Sequence, residues 1–381
     1  MRVLFTSRPG VGHLYPLLPL ARAARNAGHS VLVAAAEAHR ADVEGTGLGF
    51  APTRHDKVDL VALHRGLAPD QIRPFMFKER FADVELAERL PDLQGLVRSW
   101  RPDLVVHEPA EFAGTLAAAA ARLPHATVSF GPMLQPDVLE LAAASAARHW
   151  TAAGVEPDAT AGMYTHLYLD ICPPSLQVPK MGSVPVAHLL RPVPFGADGG
   201  ADSEELAALV GPVVYFTLGT AYGRDAGLFR MIIEGIAPEA GTVIVTIGGL
   251  IDRQDLGLPP ANVQIHRFIP QAQLLPRCDL VVTHGGSGSM LGAMSAGLPV
   301  LMLPQGADQF YNAERILAAG AGLVLRPLEV GVESVRDAVR ALLTDPAFGV
   351  RARKIAAEIA AMPPPEAALR HLEDLVSRST A

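Results

Sequence analysis

A chain of 381 residues, 49% hydrophobic and 19% charged, can bury two substantial cores, and its length favours two domains over one. Its net charge of −7, pI of about 6.0 and mean hydropathy of +0.24 fit a soluble enzyme and exclude a general role in binding nucleic acid or an anionic membrane. No stretch reaches the roughly 18 consecutive apolar residues of a membrane span, and the apolar run in MRVLFTSRPG is too short for a signal peptide, so a cytoplasmic location is expected.

Residues Val3 to Thr6 read as a first strand, followed by the loop SRPGVGH and an Ala- and Leu-rich helix from about Leu14 to Asn26, closed by Gly28. Val31 to Ala35 make a second strand. This opens a doubly wound α/β domain, in which ligands collect beyond the carboxyl ends of the strands, where Gly10, Gly12 and His13 lie. Tyr15 stands where a dinucleotide fingerprint needs its third glycine, which argues against a nicotinamide cofactor. At a helix start the protonated imidazole is disfavoured, so His13 is expected to stay neutral and able to accept a proton. A capping or solvated histidine fits the same position.

The segment from Pro52 to Asp92 lacks strand periodicity and carries Phe75, Met76, Phe77 and Phe81 at partly helical spacing. It is either an amphipathic helix on the core or a lid for a flat apolar ligand. Leu104 to His107 form a strand ending in HEPAEF, which places Glu108 and Glu111 before a helix from Phe112 to Arg122. Val138 to Trp150 form another helix, with Trp150 a candidate wall of the same site. From Pro173 to Pro212 prolines recur and glycines cluster, which marks an interdomain connection.

A second α/β half begins at Val213 to Leu218, with Thr217 and Thr220 at the carboxyl edge of that strand. Helix Phe229 to Ile236 and strands Thr242 to Ile247 and Val263 to Ile265 follow, the last feeding FIPQ. Cys278 precedes a predicted buried strand, where a small core residue is expected rather than a disulfide or metal ligand. In Asp279 to Arg315, the strand Leu280 to Val282 passes into Gly285, Gly286 and Gly288, a helix from about Ser289, and the strand Val300 to Leu303. Glycines let backbone N–H groups converge, and a helix N-terminus adds partial positive charge, so a phosphate or diphosphate is the natural occupant. His284, Ser287 and Ser289 supply further donors. The glycines alone fit a ligand-free turn equally well. No Lys follows them, and Leu291 replaces the third fingerprint glycine, so neither a Walker loop nor a dinucleotide site is indicated. Leu323 to Leu325 add a strand, and helices follow over Val332 to Leu343, Val350 to Ala361 and Ala367 to Ser379.

The run FIPQ (Phe268 to Gln271), HGGSGS (His284 to Ser289) and PQGADQ (ending at Asp308 and Gln309) resembles the nucleotide-sugar signature of the UDP-glycosyltransferase-like enzymes. The likeness is greatest to bacterial members that decorate natural products with deoxysugars. It implies the GT-B fold, with two Rossmann-like doubly wound parallel-sheet domains facing a central cleft. Residues 1–195 would bind the acceptor, 196–211 link, and 212–365 bind the donor, while a helix over 366–381 would cross back to the first domain. By the resemblance, His284, Gly286, Ser287, Gly288 and Ser289 meet the diphosphate, Thr217 or Thr220 reaches it from the side, and Gln271 adjoins it. Phe268 and Ile269 flank the base, and Asp308 and Gln309 hold sugar hydroxyls. GVGHLYPLLPLA resembles the segment carrying the family's general base, which makes His13 the candidate. Glu108, the better match to the family's orienting carboxylate although Asp is usual there, or else Glu111, would orient it. Gly12, Phe75, Phe77 and Trp150 would line the acceptor.

Many relatives that use UDP-sugars carry a Glu where this chain has Gly292, so a dTDP-sugar is expected in preference to a UDP-sugar. The expected reaction is metal-independent transfer with inversion to an apolar aglycone, with no cofactor beyond the nucleotide sugar, and with no nucleic-acid or membrane partner. A homodimer is compatible with the sequence. A nucleotide-sugar epimerase on the same fold, or a non-catalytic binding or helper protein, are the competing readings.

Overall fold

The computed structural model describes residues 1–55, 60–63, 65–178, 184–194, 196, 209–219 and 224–380. The chain forms two units, one of Met1–Cys172, Gln177–Arg191 and Met362–Ala381, the other of Pro173–Leu176 and Pro192–Ala361. Most of the expected linker, 196–211, lies outside the described residues.

Among the described residues of the first unit, seven parallel strands run in the order β3-β2-β1-β4-β5-β6-β7. They are β1 (Arg2–Thr6), β2 (Ser30–Ala36), β3 (Gly49–Thr53), β4 (Leu104–His107), β5 (His125–Val128), β6 (Leu167–Asp170) and β7 (Ala187–Leu189). Strand order reverses at β1, which pairs β2 on one side and β4 on the other, with Thr6 opposite His107. The carboxyl ends of β1 and β4 therefore splay around a crevice, the usual ligand position in such sheets. The second unit repeats the plan in the order β10-β9-β8-β11-β12-β13. Its strands are β8 (Val213–Thr217), β9 (Thr242–Thr246), β10 (Val263–His266), β11 (Leu280–Thr283), β12 (Val300–Met302) and β13 (Gly322–Val324). Here the switch lies between β8 and β11, with Thr217 opposite Thr283. Strands covered on both faces read as continuous apolar runs, which is why β8, β9 and β11 are visible in sequence as VVYFT, TVIVT and LVVT.

Three local features differ from the sequence reading. The first helix is split into Val11–Leu14 and Leu18–Asn26, because Pro16 has no N–H to continue the ladder. The helix after the glycine loop starts at Ser287, with Gly286 as its N-cap, rather than at Ser289. Met76–Glu85 is a π-helix, a wide-turn form that is rare and frequently sits at functional sites. The last helix, Pro365–Thr380, packs against Leu18–Asn26 within the first unit; His29 Nε2 lies 3.1 Å from Glu373 Oε1, and the His188 and His371 rings stack at 4.0 Å. No helix among the described residues is long and apolar enough to cross a membrane.

Candidate active site

In the first unit, β1 and β4 deliver their following loops to one crevice. Gly10 holds φ +124°, a region that favours glycine, and turns the chain so that His13 faces the loop after β4. His13 Nδ1 lies 3.1 Å from Glu108 Oε2, with side-chain exposures of 20% and 0%. The two groups thus meet as a close polar contact. Glu108 Oε1 accepts from the Arg8 N–H at 3.3 Å and Oε2 from the Ala110 N–H at 2.6 Å. Burial pushes the Glu108 carboxyl up, but His13, the Ala110 N–H and Arg8 outweigh it and hold the group below its ordinary value, hence ionised. The helix Val11–Leu14 is one turn long and His13 is its third residue, not its start, so the dominant charge at the ring is the Glu108 carboxylate and not a helix dipole, contrary to the sequence argument.

Glu111, the other candidate partner, is engaged elsewhere. Its Oε1 accepts from the Ala113 and Gly114 N–H groups at 3.1 and 3.0 Å, capping the Phe112–Ala120 helix, and its Oε2 lies 2.7 Å from Arg89 Nη2. Phe77 and Trp150, each 4% exposed, pack into the core, and Phe75 packs partly buried against it. Trp150 fills space beside Gly162, where a Cβ would come within 3.3 Å of Trp150 Cη2. These side chains therefore serve the core, as an amphipathic helix would have them do. Two further buried rings of this core pack T-shaped with His13: Phe130 at 4.9 Å and Phe81 at 6.4 Å between centroids. Phe130 follows β5, a strand whose sequence HATV carries no apolar run, so nothing in the sequence singled it out.

In the second unit, His284 follows β11 and is enclosed by glycines. A Cβ at Gly219, which has φ +72°, would fall 2.5 Å from His284 Cε1, and one at Gly286 would fall 2.7 Å from Nε2. The residue is half-buried, and desolvation by the surrounding protein pushes the imidazole down to about 4, against the attraction of Asp308. The ring is thus neutral at neutral pH and offers an N–H donor, not a charge. Thr283 Oγ1 lies 3.2 Å from its Nδ1. Gly285, at φ +88°, leaves room for Met302 Cε, whereas a Cβ at Gly288 would meet nothing within 4 Å. Gly12 in the first unit is equally open. The open space beside these two glycines leaves their backbone accessible to a ligand.

Around this loop the polar side chains brace one another. Ser287 Oγ donates to Asp308 Oδ2 at 2.6 Å, and Asn312 Nδ2 reaches the Gly285 carbonyl, Ser287 Oγ and Asp308 Oδ2 at 2.9, 3.1 and 2.8 Å. Gln271 Nε2 donates to Ser289 Oγ at 3.1 Å. Gln309 Oε1 accepts from the Gln305 and Gly306 N–H groups, closing a turn that holds Ala307 at φ +52°. Its amide oxygen therefore builds the loop. Thr217 Oγ1 accepts from the Gly219 N–H at 3.2 Å, Phe268 is 58% exposed and Ile269 half-buried, while Thr220 lies outside the described residues. Gly292 has a packing reason: a Cβ there would fall 2.9 Å from Gln271 Oε1 and 3.2 Å from Leu275 Cδ1. Asn312, fully buried, was not assigned a role from sequence, although its place one turn after Asp308 on the Gln309–Ala319 helix is what lets it tie the two loops together. Among the described residues no group of three or more His, Cys, Asp or Glu is placed to hold a metal ion.

Two profiles described as the N- and C-terminal domains of the erythromycin biosynthesis protein CIII-like family match residues 22–201 and 231–375. The L-demethylnoviosyl transferase of Streptomyces niveus is 36% identical over 372 residues, covering 96% of each chain. The chain belongs to the EryCIII-like family. It is a GT-B glycosyltransferase of natural-product biosynthesis, as its motifs had indicated. Another family relative, the 3-alpha-mycarosylerythronolide B desosaminyl transferase of Saccharopolyspora erythraea, is 31% identical with 99% of both chains covered. Among solved structures, the spinosyn rhamnosyltransferase SpnG matches at 28% identity, covering 98% of this chain and 100% of that one. The TM-score is 0.82 for its complex with thymidine diphosphate and 0.81 for its complex with the spinosyn aglycone.

Proposed function

We propose that this glycosyltransferase moves a deoxysugar from a dTDP-sugar to an apolar natural-product aglycone by direct displacement, without a metal ion and with inversion at the anomeric carbon. The observation that carries the reading is the His13–Glu108 contact at 3.1 Å, a neutralisable base held against a buried carboxylate. His13 removes the proton of the attacking acceptor group as the new bond to the anomeric carbon forms, and ionised Glu108 stabilises the resulting imidazolium. Phe81 and Phe130, 8% and 9% exposed, give His13 an apolar surrounding that suits an apolar acceptor.

At the second site the departing diphosphate is met by the neutral ring of His284, the Ser289 hydroxyl and the N–H groups opening the Ser287–Ser295 helix. These donors supply from the protein the stabilisation that other transferases draw from a cation. Two considerations favour dTDP over UDP: Gly292 brings no carboxylate to a ribose hydroxyl, and a structural relative is described in complex with thymidine diphosphate. Asp308 keeps one face of its carboxylate for sugar hydroxyls while Ser287 and Asn312 fix the other.

The test is a reaction of purified protein, in chelator, with dTDP-deoxysugars and a panel of apolar aglycones, the product anomer being assigned by NMR. Inverted product, and a loss of about 10²–10⁴-fold in turnover for His13→Ala with dTDP affinity intact, is the expected result. Retained configuration, or undiminished turnover in His13→Ala, would overturn it.

A further inference from the structure

Behind His13 lies a layer of buried charge that the reaction above does not use. Arg8 follows β1 and is buried; its Nε donates to Glu85 Oε2 and its Nη2 to Glu85 Oε1, both at 2.9 Å. The same residue's backbone N–H donates to Glu108 Oε1, so the carboxylate facing His13 and the clamped guanidinium share one residue. Arg8 Cζ lies 4.0 Å from the centroid of the Phe81 ring, against which His13 also packs. A Cβ at Gly10 would approach both His13 Cδ2, at 3.4 Å, and Arg8 Nη1, at 4.0 Å, so the two side chains flank one glycine. Glu85, also buried, is the last residue of the π-helix, and accepts a further bond from Arg80 Nε at 3.1 Å.

We propose that the Arg8–Glu85 pair positions Glu108 and sets the protonation range of His13, with Glu85 cancelling a cation that would otherwise oppose a proton on the imidazole. Bidentate capture fixes the guanidinium and with it the Arg8 backbone that holds Glu108. The other charges facing this region act in both directions. Arg80 comes from the π-helix and is shared between Glu85 and Glu88; Arg89 comes from the Leu86–Trp100 helix and faces Glu111. Half-buried His55, after β3, is lowered by burial first and then by Arg8, Arg80 and Arg89, with Glu85 acting against them. Glu108 touches the ring and favours its proton, Arg8 across Gly10 opposes it, and His39, which accepts the Gly10 N–H at 3.1 Å and lies 3.3 Å from Asp42, faces the same loop.

Two substitutions should therefore move the His13 titration in opposite directions. Arg8→Met removes the opposing cation and leaves Glu85 bonded to Arg80, a net loss of one positive charge, so His13 should titrate about half to one pH unit higher. Glu85→Gln keeps the shape and leaves Arg8 unbalanced, so the midpoint should fall by a similar amount, and the double variant should return to within about 0.3 unit of the unmodified protein. Loss of packing alone has no reason to produce opposite signs.

The importance of the pair rests on His13 being the base, but its test does not. Full-length protein with ¹³C-labelled histidines is titrated by NMR, and the His13 ring signal is recognised among the 13 histidines by its absence in His13→Gln. Opposite shifts support the assignment; shifts of the same sign, or none, overturn it. Should Arg8→Met fail to fold, Glu85→Gln decides by itself, and an unchanged or raised midpoint refutes the proposal. Because no turnover is needed, the outcome stays separate from the activity of His13→Ala.

Discussion

Alanine at position 288 is expected to strengthen the fold and weaken nucleotide binding in the same molecule. Gly288 is the second residue of the Ser287–Ser295 helix, is exposed, and has an ordinary φ. Its added Cβ would meet no protein atom within 4 Å, so the fold gives it no steric reason to be glycine. In a helix Ala is preferred over Gly by about 0.5–1 kcal/mol, and near the first turn the lower figure applies. The urea midpoint of the variant should thus stay equal or rise slightly. A diphosphate seated on the N–H groups of residues 287–289 would be pushed back by the new methyl group. Losing one charge-assisted hydrogen bond costs about 1.5–3 kcal/mol, which corresponds to roughly 10–100-fold in affinity. Calorimetric titration with dTDP, beside urea unfolding of the same preparations, reads both quantities. Unchanged dTDP affinity would refute the placement of the diphosphate, and a fall in stability would refute the argument that the glycine is sterically unneeded.

The two acidic residues after β4 should separate cleanly. Glu108→Gln should lower turnover about 100-fold or more with little change in unfolding, as followed by glycoside formation and urea titration. Glu111→Ala should do the reverse: it removes a helix cap, worth about 1 kcal/mol, and strands the buried Arg89 charge, worth about 3–5 kcal/mol. Acid should destabilise the first unit. Burial lowers His107 to about 4 and lowers His125 well below its ordinary value, so between pH 6.5 and 4 the unfolded chain binds more protons and stability falls with pH. Asp170, raised to about 6 by burial, works against this below that pH, leaving a net loss of about 2 kcal/mol between pH 7 and 5. A urea midpoint no lower at pH 5 than at pH 7 would contradict that balance.

The parts legible in the sequence are those where one local rule decides. Buried parallel strands such as VVYFT and LVVT are continuous apolar runs, and a strand passing directly into His284 and its glycines admits few conformations. What escaped reading depends on distant partners. Glu108 and Glu111 stand three residues apart before one helix, and only the direction in which β4 delivers the loop separates the residue facing His13 from the helix cap. The π-helix shifts Phe77, Phe81 and Glu85 off the 3.6-residue period, so its core face could not be told from a lid by spacing. Arg8 and Glu85 are 77 positions apart and meet only in the folded unit. Gly292, read as a missing carboxylate, is also required by the packing of Gln271 and Leu275, which no local pattern reveals.

The most direct test of the account is calorimetric titration of the purified protein with dTDP, UDP and NAD side by side. Micromolar binding of dTDP, weaker binding of UDP and no heat from NAD is the predicted result. Absence of binding by both dTDP and UDP would contradict the assignment of the loop around His284 as the donor site.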